Sequence, residues 1–285
     1  MKTSKQLVQL CLGVLLSLPA IANAQTTIQT SVGDVTDNRT TGSFNAECTV
    51  ELKFTGDAAM DAGTVHKIRL SEATDEAGHD LILKDNDDSA THSFDSDNSS
   101  GALKAEVKLR NPSRSANTIK ILKGEVELFK PTEANGGLLT ITNILQHPAE
   151  PVQNAALAKY GIQIIYLTKE SYEAKKKEIE AQQNTGQKMG AAFGELFTGM
   201  FGSMMSDSKN SIQMYVKDPD KRVVGLKFTD GQGKPLESNE SMSSDDFKST
   251  SFDTPPPADT RMIVQLATPE SLKSYPFKVE NIPLP

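Results

Sequence analysis

Residues 44–54 read Phe-Asn-Ala-Glu-Cys-Thr-Val-Glu-Leu-Lys-Phe. Phe44, Ala46, Cys48, Val50, Leu52 and Phe54 fall on one side of an extended chain, with Asn45, Glu47, Thr49, Glu51 and Lys53 on the other. This period of two belongs to a half-buried strand, because successive side chains in a strand point to opposite faces of the sheet. Leu103, Ala105, Val107 and Leu109 alternate in the same way with Lys104, Glu106, Lys108 and Arg110. Shorter strand signals follow at 64–70, 80–84, 118–121, 125–129, 138–142, 161–167, 212–216, 223–228, 262–266 and 277–282. Many short strands separated by Gly, Asp, Asn, Ser and Pro clusters predict a mainly β, antiparallel sandwich architecture.

Outward from these strands lies an internal echo. Asp75, Gly78 and Leu81 follow one strand signal, and Asp230, Gly233 and Leu236 follow another, so that Asp-x-x-Gly-x-x-Leu occurs twice. Each copy continues with a polar stretch holding a Phe (Phe94, Phe247), an alternating strand (Val107, Val264), a Pro turn (Pro112, Pro269) and a closing Leu (Leu128, Leu284). The matched spacing predicts a duplicated module whose Gly takes a positive φ in a tight hairpin turn. A boundary falls at 130–137, where Pro131 and Gly136-Gly137 interrupt the pattern. The expected organisation is two tandem modules, 25–130 and 138–285, whose architecture resembles immunoglobulin-like and fibronectin-type sandwiches; such a resemblance implies no activity.

Residues 1–24 carry the pattern of a secretory signal peptide. Lys2 and Lys5 precede an uncharged apolar run from Leu10 to Leu18, and Pro19 and Ala22-Asn23-Ala24 follow it. The apolar run is too short to cross about 30 Å of hydrocarbon as a helix. Export to a periplasm or the exterior, with cleavage before Gln25, is therefore expected. The mature chain would keep Cys48 alone and could form no intrachain disulfide. A net charge of −7 over 285 residues speaks against nucleic acid as a partner, because phosphate contacts need clustered Lys and Arg.

The second module carries an expected helical insertion at 169–210. Residues 170–183 are rich in Glu, Lys and Ala, and Glu173 lies four residues before Lys177, the favourable order for a helical ion pair. Residues 186–205 then place Met189, Phe193, Phe197, Met200, Phe201 and Met204 at helical spacing, beside a ridge of small residues at Gly186, Gly190, Gly194, Thr198 and Gly202. Glycines weaken an isolated helix by about 1 kcal/mol each relative to Ala, so this stretch needs a surface to pack on. The candidate surfaces are its own fold, a second copy, an envelope protein or, less favoured, a membrane face. Those six Met and Phe residues are the candidate partner-binding set. Because 161–167 and 212–216 both read as strands, a short turn in place of 169–210 is expected to leave a folded protein.

Catalytic signatures are sparse. The chain has no Gly-x-Ser-x-Gly elbow, and His66, His79, His92 and His147 are scattered without zinc-ligand spacing. Cys48 sits on the apolar side of its strand, where a thiol acts as a small hydrophobe. Asp95, Asp97, Ser99 and Glu106 fit four positions of a calcium loop, but Ser100 stands where Gly is required. No catalytic residue, metal or cofactor is assigned. The expectation is a non-catalytic binding or structural protein; the alternatives are a hydrolase with a site assembled from scattered residues and a calcium-dependent carbohydrate-binding protein.

Protein recovered from its native host should begin at Gln25, a position read directly by intact mass and N-terminal sequencing. A chain that still begins at Met1 would overturn the export reading.

Overall fold

The computed structural model describes residues 28–40, 46–83, 102–183, 209–244 and 246–285. The fold is mainly β, with four antiparallel sheets. The first sheet has the order β1-β2-β4, formed by Gln29–Asn38, Glu47–Thr55 and Leu103–Leu109. The second has the order β13-β5-β3, formed by Leu272–Pro283, Thr118–Phe129 and Thr64–Asp75. The third joins β6 (Leu138–Ile141), β12 (Arg261–Leu266) and β9 (Val223–Thr229) in that order. The fourth runs β10 (Ser238–Ser244), β11 (Phe247–Phe252), β8 (Ser211–Lys217), β7 (Gln163–Leu167). Helices α1 (Asp57–Asp61), α2 (Ala155–Lys159) and α3 (Lys169–Gln183) complete the elements used below.

Two apolar clusters organise these sheets. One draws Cys48, Val50, Leu52 and Phe54 from β2 and Val107 and Leu109 from β4, and meets Ile68, Leu122, Val126, Phe277 and Ile282 of the second sheet. The other gathers Ile164, Ile212, Met214 and Val216 with Phe228, Met262, Val264 and Leu266. The inward set of residues 48–54 and 103–109 is the set that the alternating pattern predicts, because β2 and β4 pair in the register Cys48↔Leu109 to Phe54↔Leu103.

Several strands differ from the sequence reading for physical reasons. The signals at 118–121 and 125–129 are one strand, continuous through Gly124, where any side chain would collide with the Arg69 carbonyl of β3. Of the strand signal at 80–84, the described residues 80–83 supply only a single bridge, Thr74↔Asp80. β1 carried no clear alternation, because a register shift between Val32 and Val35 changes the phase of its apolar positions. β11 escaped because Ser249, Thr250 and Ser251 hide its period.

The largest departure concerns the end of the chain. The expected second module of 138–285 would include the last strand, but β13 pairs with β5, from Leu272↔Phe129 to Pro283↔Thr118. The Val107/Val264 equivalence changes with it. Val107 lies on β4, which pairs with β2, whereas Val264 lies on β12 between β6 and β9. Matching by pairing gives a consistent alignment: β1, β2 and β4 correspond to β7, β8 and β11, while β13, β5 and β3 correspond to β6, β12 and β9. In this matching β13 takes the place that β6 has in the other pair of sheets, and β10 has no counterpart among the described residues.

Two connectors cross where this exchange of order happens, and hydrogen bonds join them. The Lys130 N–H donates to the Ser271 carbonyl at 2.8 Å, and the Leu266 N–H to the Gly137 carbonyl at 2.8 Å. Thr268 Oγ1 donates to the Asn135 carbonyl at 2.9 Å, and Ser271 Oγ to the Leu266 carbonyl at 3.0 Å. Asn135 Oδ1 accepts from the Thr132 and Gly137 N–H groups, both at 2.9 Å. Thr268 and Ser271 are buried, so each polar atom here carries the cost of desolvation if its partner is lost.

Val107→Asp and Val264→Asp should each cost several kcal/mol in chemical denaturation, since both side chains are fully buried. Lys108→Ala and Gln265→Ala, on the opposite faces, should stay within about 0.5 kcal/mol. An equal response of inward and outward positions would show a wrong register.

Candidate functional site

β7 and β8 form an antiparallel pair from Gln163↔Lys217 to Leu167↔Gln213, so the chain between them, including α3, is an insertion at the head of a hairpin. Ile164, Met214 and Val216 point to the second apolar cluster. Their neighbours Ile165, Leu167, Gln213 and Tyr215 take the other face, where Tyr215 stands opposite Phe247. All five residues of that outer face are no more than 3% exposed. β8 is thus buried on both sides, which is why Ile212 to Val216 reads as a nearly continuous apolar run.

α3 starts through a reciprocal pair. Thr168 N–H donates to Ser171 Oγ at 2.9 Å, and Ser171 N–H to Thr168 Oγ1 at 3.1 Å, with Glu170 in the first turn. These contacts satisfy donors that a helix start leaves open, and the carboxylate complements the helix dipole. Tyr172 is 1% exposed. α3 is therefore packed at this end rather than fully solvated, and removing all of 169–210 would strip away a buried aromatic ring.

A cleft of ≈ 290 Å³ opens at the base of α3, lined among others by Tyr166, Lys169, Glu170, Lys209, Gln213 and Pro256. Burial, reinforced by the charge of Glu170, pushes the Tyr166 phenol above its ordinary pKa. The lining offers two ammonium groups, one carboxylate, an amide and a phenol. α3 and Lys209 bracket, in sequence, the stretch that contains the candidate partner residues. Met189, Phe193, Phe197, Met200, Phe201 and Met204 themselves lie outside the described residues.

No protein-family model matches this chain, and neither the curated proteins nor the solved structures contain a match to it. Among the described residues, no group of three or more His, Cys, Asp or Glu could hold a metal ion, and no helix is long and apolar enough to cross a membrane. Of the calcium-loop candidates, Asp95, Asp97 and Ser99 lie outside the described residues, and Glu106 is an exposed residue of β4 opposite Glu51.

The arrangement closest to catalytic geometry is one that the sequence reading did not single out. Asp75 is fully buried, and its Oδ2 lies 3.0 Å from His79 Nδ1. Burial alone would raise its pKa, yet the N–H groups of Ser113 and His79 and the His79 ring hold the carboxyl at about 2. A buried carboxylate on Nδ1 is how many enzymes orient an imidazole base. The second copy of the turn supplies the control. Asp230 receives the Lys234 N–H at 2.9 Å as Asp75 receives that of His79 at 2.9 Å, and the two glycines have φ of 87° and 85°. Leu236 N–H reaches the Phe228 carbonyl at 2.9 Å, as Leu81 N–H reaches Ala73 at 2.8 Å. The same turn forms with lysine in place of histidine, so the carboxylate acts first as a turn closure.

The other described groups follow their surroundings. Burial lowers the His66 pKa more than Glu127 raises it. His147 sits exposed beside Glu150 at 3.3 Å. Burial pushes the Cys48 thiol up to about 11, with Asp37 adding to the effect, so it is a poor nucleophile at neutral pH.

Asp75→Asn should cost about 1.5–3 kcal/mol at pH 7, the range for hydrogen bonds to a charged group. Because the folded pKa is depressed, the contribution is present above pH ~4 and is lost as the pH falls towards 2. The gap between variant and parent in thermal melts should therefore close across that window. Asp230→Asn, at a half-exposed site, should cost less; a pH-independent gap for Asp75→Asn would sink the assignment.

Proposed function

We propose that this chain is an exported, non-catalytic binding or structural protein. Its two pairs of sheets are immunoglobulin-like sandwiches, and its working surface is the Gly, Met and Phe stretch 186–205. The observation that carries the reading is the β7–β8 pairing, which mounts the insertion at the head of a hairpin whose strand β8 is buried on both faces. Binding residues are commonly carried on segments held by such a rigid scaffold. The partner is a second copy or a protein of the envelope. Phe supplies large apolar area and Met an adaptable one, so Phe193, Phe197 and Phe201 anchor the contact and Met189, Met200 and Met204 accommodate its shape. The signal-peptide pattern of residues 1–24 supports export, and the acidic chain is matched to neither nucleic acid nor an anionic lipid surface.

The test leaves α3 in place. Changing Phe197 and Phe201 to Ser should abolish self-association in sedimentation velocity, or crosslinking to a single envelope protein in intact cells, while the melting temperature moves by less than about 3 °C. A fall of about 10 °C or more with association unchanged would make the stretch part of the protein's own core and refute the partner reading.

A further inference from the structure

The strand that closes the first apolar cluster comes from the far end of the chain. β13 runs along β5 from Leu272↔Phe129 to Pro283↔Thr118, with the whole second cluster between them in sequence. It buries Phe277 at 5% exposure and Ile282 at 1%. Phe277 meets Phe54 of the opposite sheet edge-on, with ring centroids 6.0 Å apart. Tyr275, Val279 and Leu284 pack partly buried against the same cluster.

We propose that the edge of β5 opposite β3 is an acceptor site for an extended C-terminal strand, and that a second copy of this chain can fill it in trans with its own residues 272–285. Main-chain pairing along the length of β5 would supply affinity, and the places of Phe277 and Ile282 would supply selectivity, as in other cases of strand addition to a sheet edge. Two features make β13 exchangeable. One connector, 267–271, ties it to β12, and the hydrogen bonds that hold this connector, from Thr268 Oγ1, Ser271 Oγ and the Lys130 N–H, can form again around the same connector when the strand is exchanged. The contacts that β13 makes with β5 are the same whether the strand belongs to this chain or to another, which is the low-cost route to a swapped dimer. This inference rests on the β5–β13 pairing and does not depend on the insertion.

Cys48 reports on the site, because it is buried in the cluster that β13 closes and would be the sole thiol of a chain beginning at Gln25. The acceptor is that chain with Phe277→Asp and Ile282→Asp. The donors are a synthetic peptide of residues 272–285 and the intact chain carrying Cys48→Ala. Cys48 of the parent should react with a thiol reagent at least about 100-fold more slowly than in denaturant, and Cys48 of the acceptor within about tenfold of the denatured rate. Either donor should slow the acceptor at least about tenfold, and the intact donor should bring it into a species of dimer mass. A peptide with Ile282→Asp should do nothing. The single change Ile282→Ala provides a second, milder acceptor should the double variant be too disrupted to bind. Slow labelling of the double variant without donor would overturn the requirement for β13. Fast labelling of both acceptors at saturating donor would overturn the acceptor site, and rescue by peptide but not by the intact chain would overturn the second copy as partner.

Discussion

The fold depends on β5 being paired on both sides. β3 lies along one edge through Ile68, Ala73 and their neighbours, and β13 lies along the other over nearly the full length of the strand. Gly124 permits the first of these contacts, because the Arg69 carbonyl occupies the space a Cβ would need. The second contact delivers Phe277 and Ile282 to a cluster otherwise built from the first part of the chain. Pairing across such a sequence separation carries a loop-closure cost before it is rewarded, so this cluster belongs with slow, topologically complex closures.

The junction between connectors 130–137 and 267–271 shows how one local device serves two ends. Thr168-Lys-Glu-Ser171 and Thr268-Pro-Glu-Ser271 both form the reciprocal bonds between Thr N–H and Ser Oγ and between Ser N–H and Thr Oγ1. After Ser171 the chain continues as α3, rich in Glu, Ala and Lys. After Ser271 it continues as β13, because Pro276 cannot sit in a helix interior and β5 offers an unpaired edge. The start is the same, and the downstream residues and the available partner decide the outcome.

The two Asp-x-x-Gly turns were legible in the sequence, down to the positive φ at Gly78 and Gly233. The role of Asp75 was not. Its carboxylate is buried because Ser113, on a distant connector, folds over the turn and donates its N–H at 3.0 Å. Asp230 keeps the same local bonds and remains half-exposed. A motif scan sees two equal turns, and the difference between them arises from what the rest of the chain places above each one.

By itself the sequence determined the mainly β class, the inward faces of β2 and β4, the two turns, the start of α3 and the hairpin origin of the insertion. Each of these is written in side-chain period, turn residues or composition along the chain. The tertiary structure alone decided that β13 belongs with β5, that Val107 and Val264 are not equivalent, that β1 and β11 are strands, and that the outer face of β8 is covered. Strand pairing is set by which edges meet in space, and a chain with many short strands of similar composition offers several partners to each edge. Alternation tells a strand which face to bury, whereas its neighbour is selected only when the whole cluster closes around it.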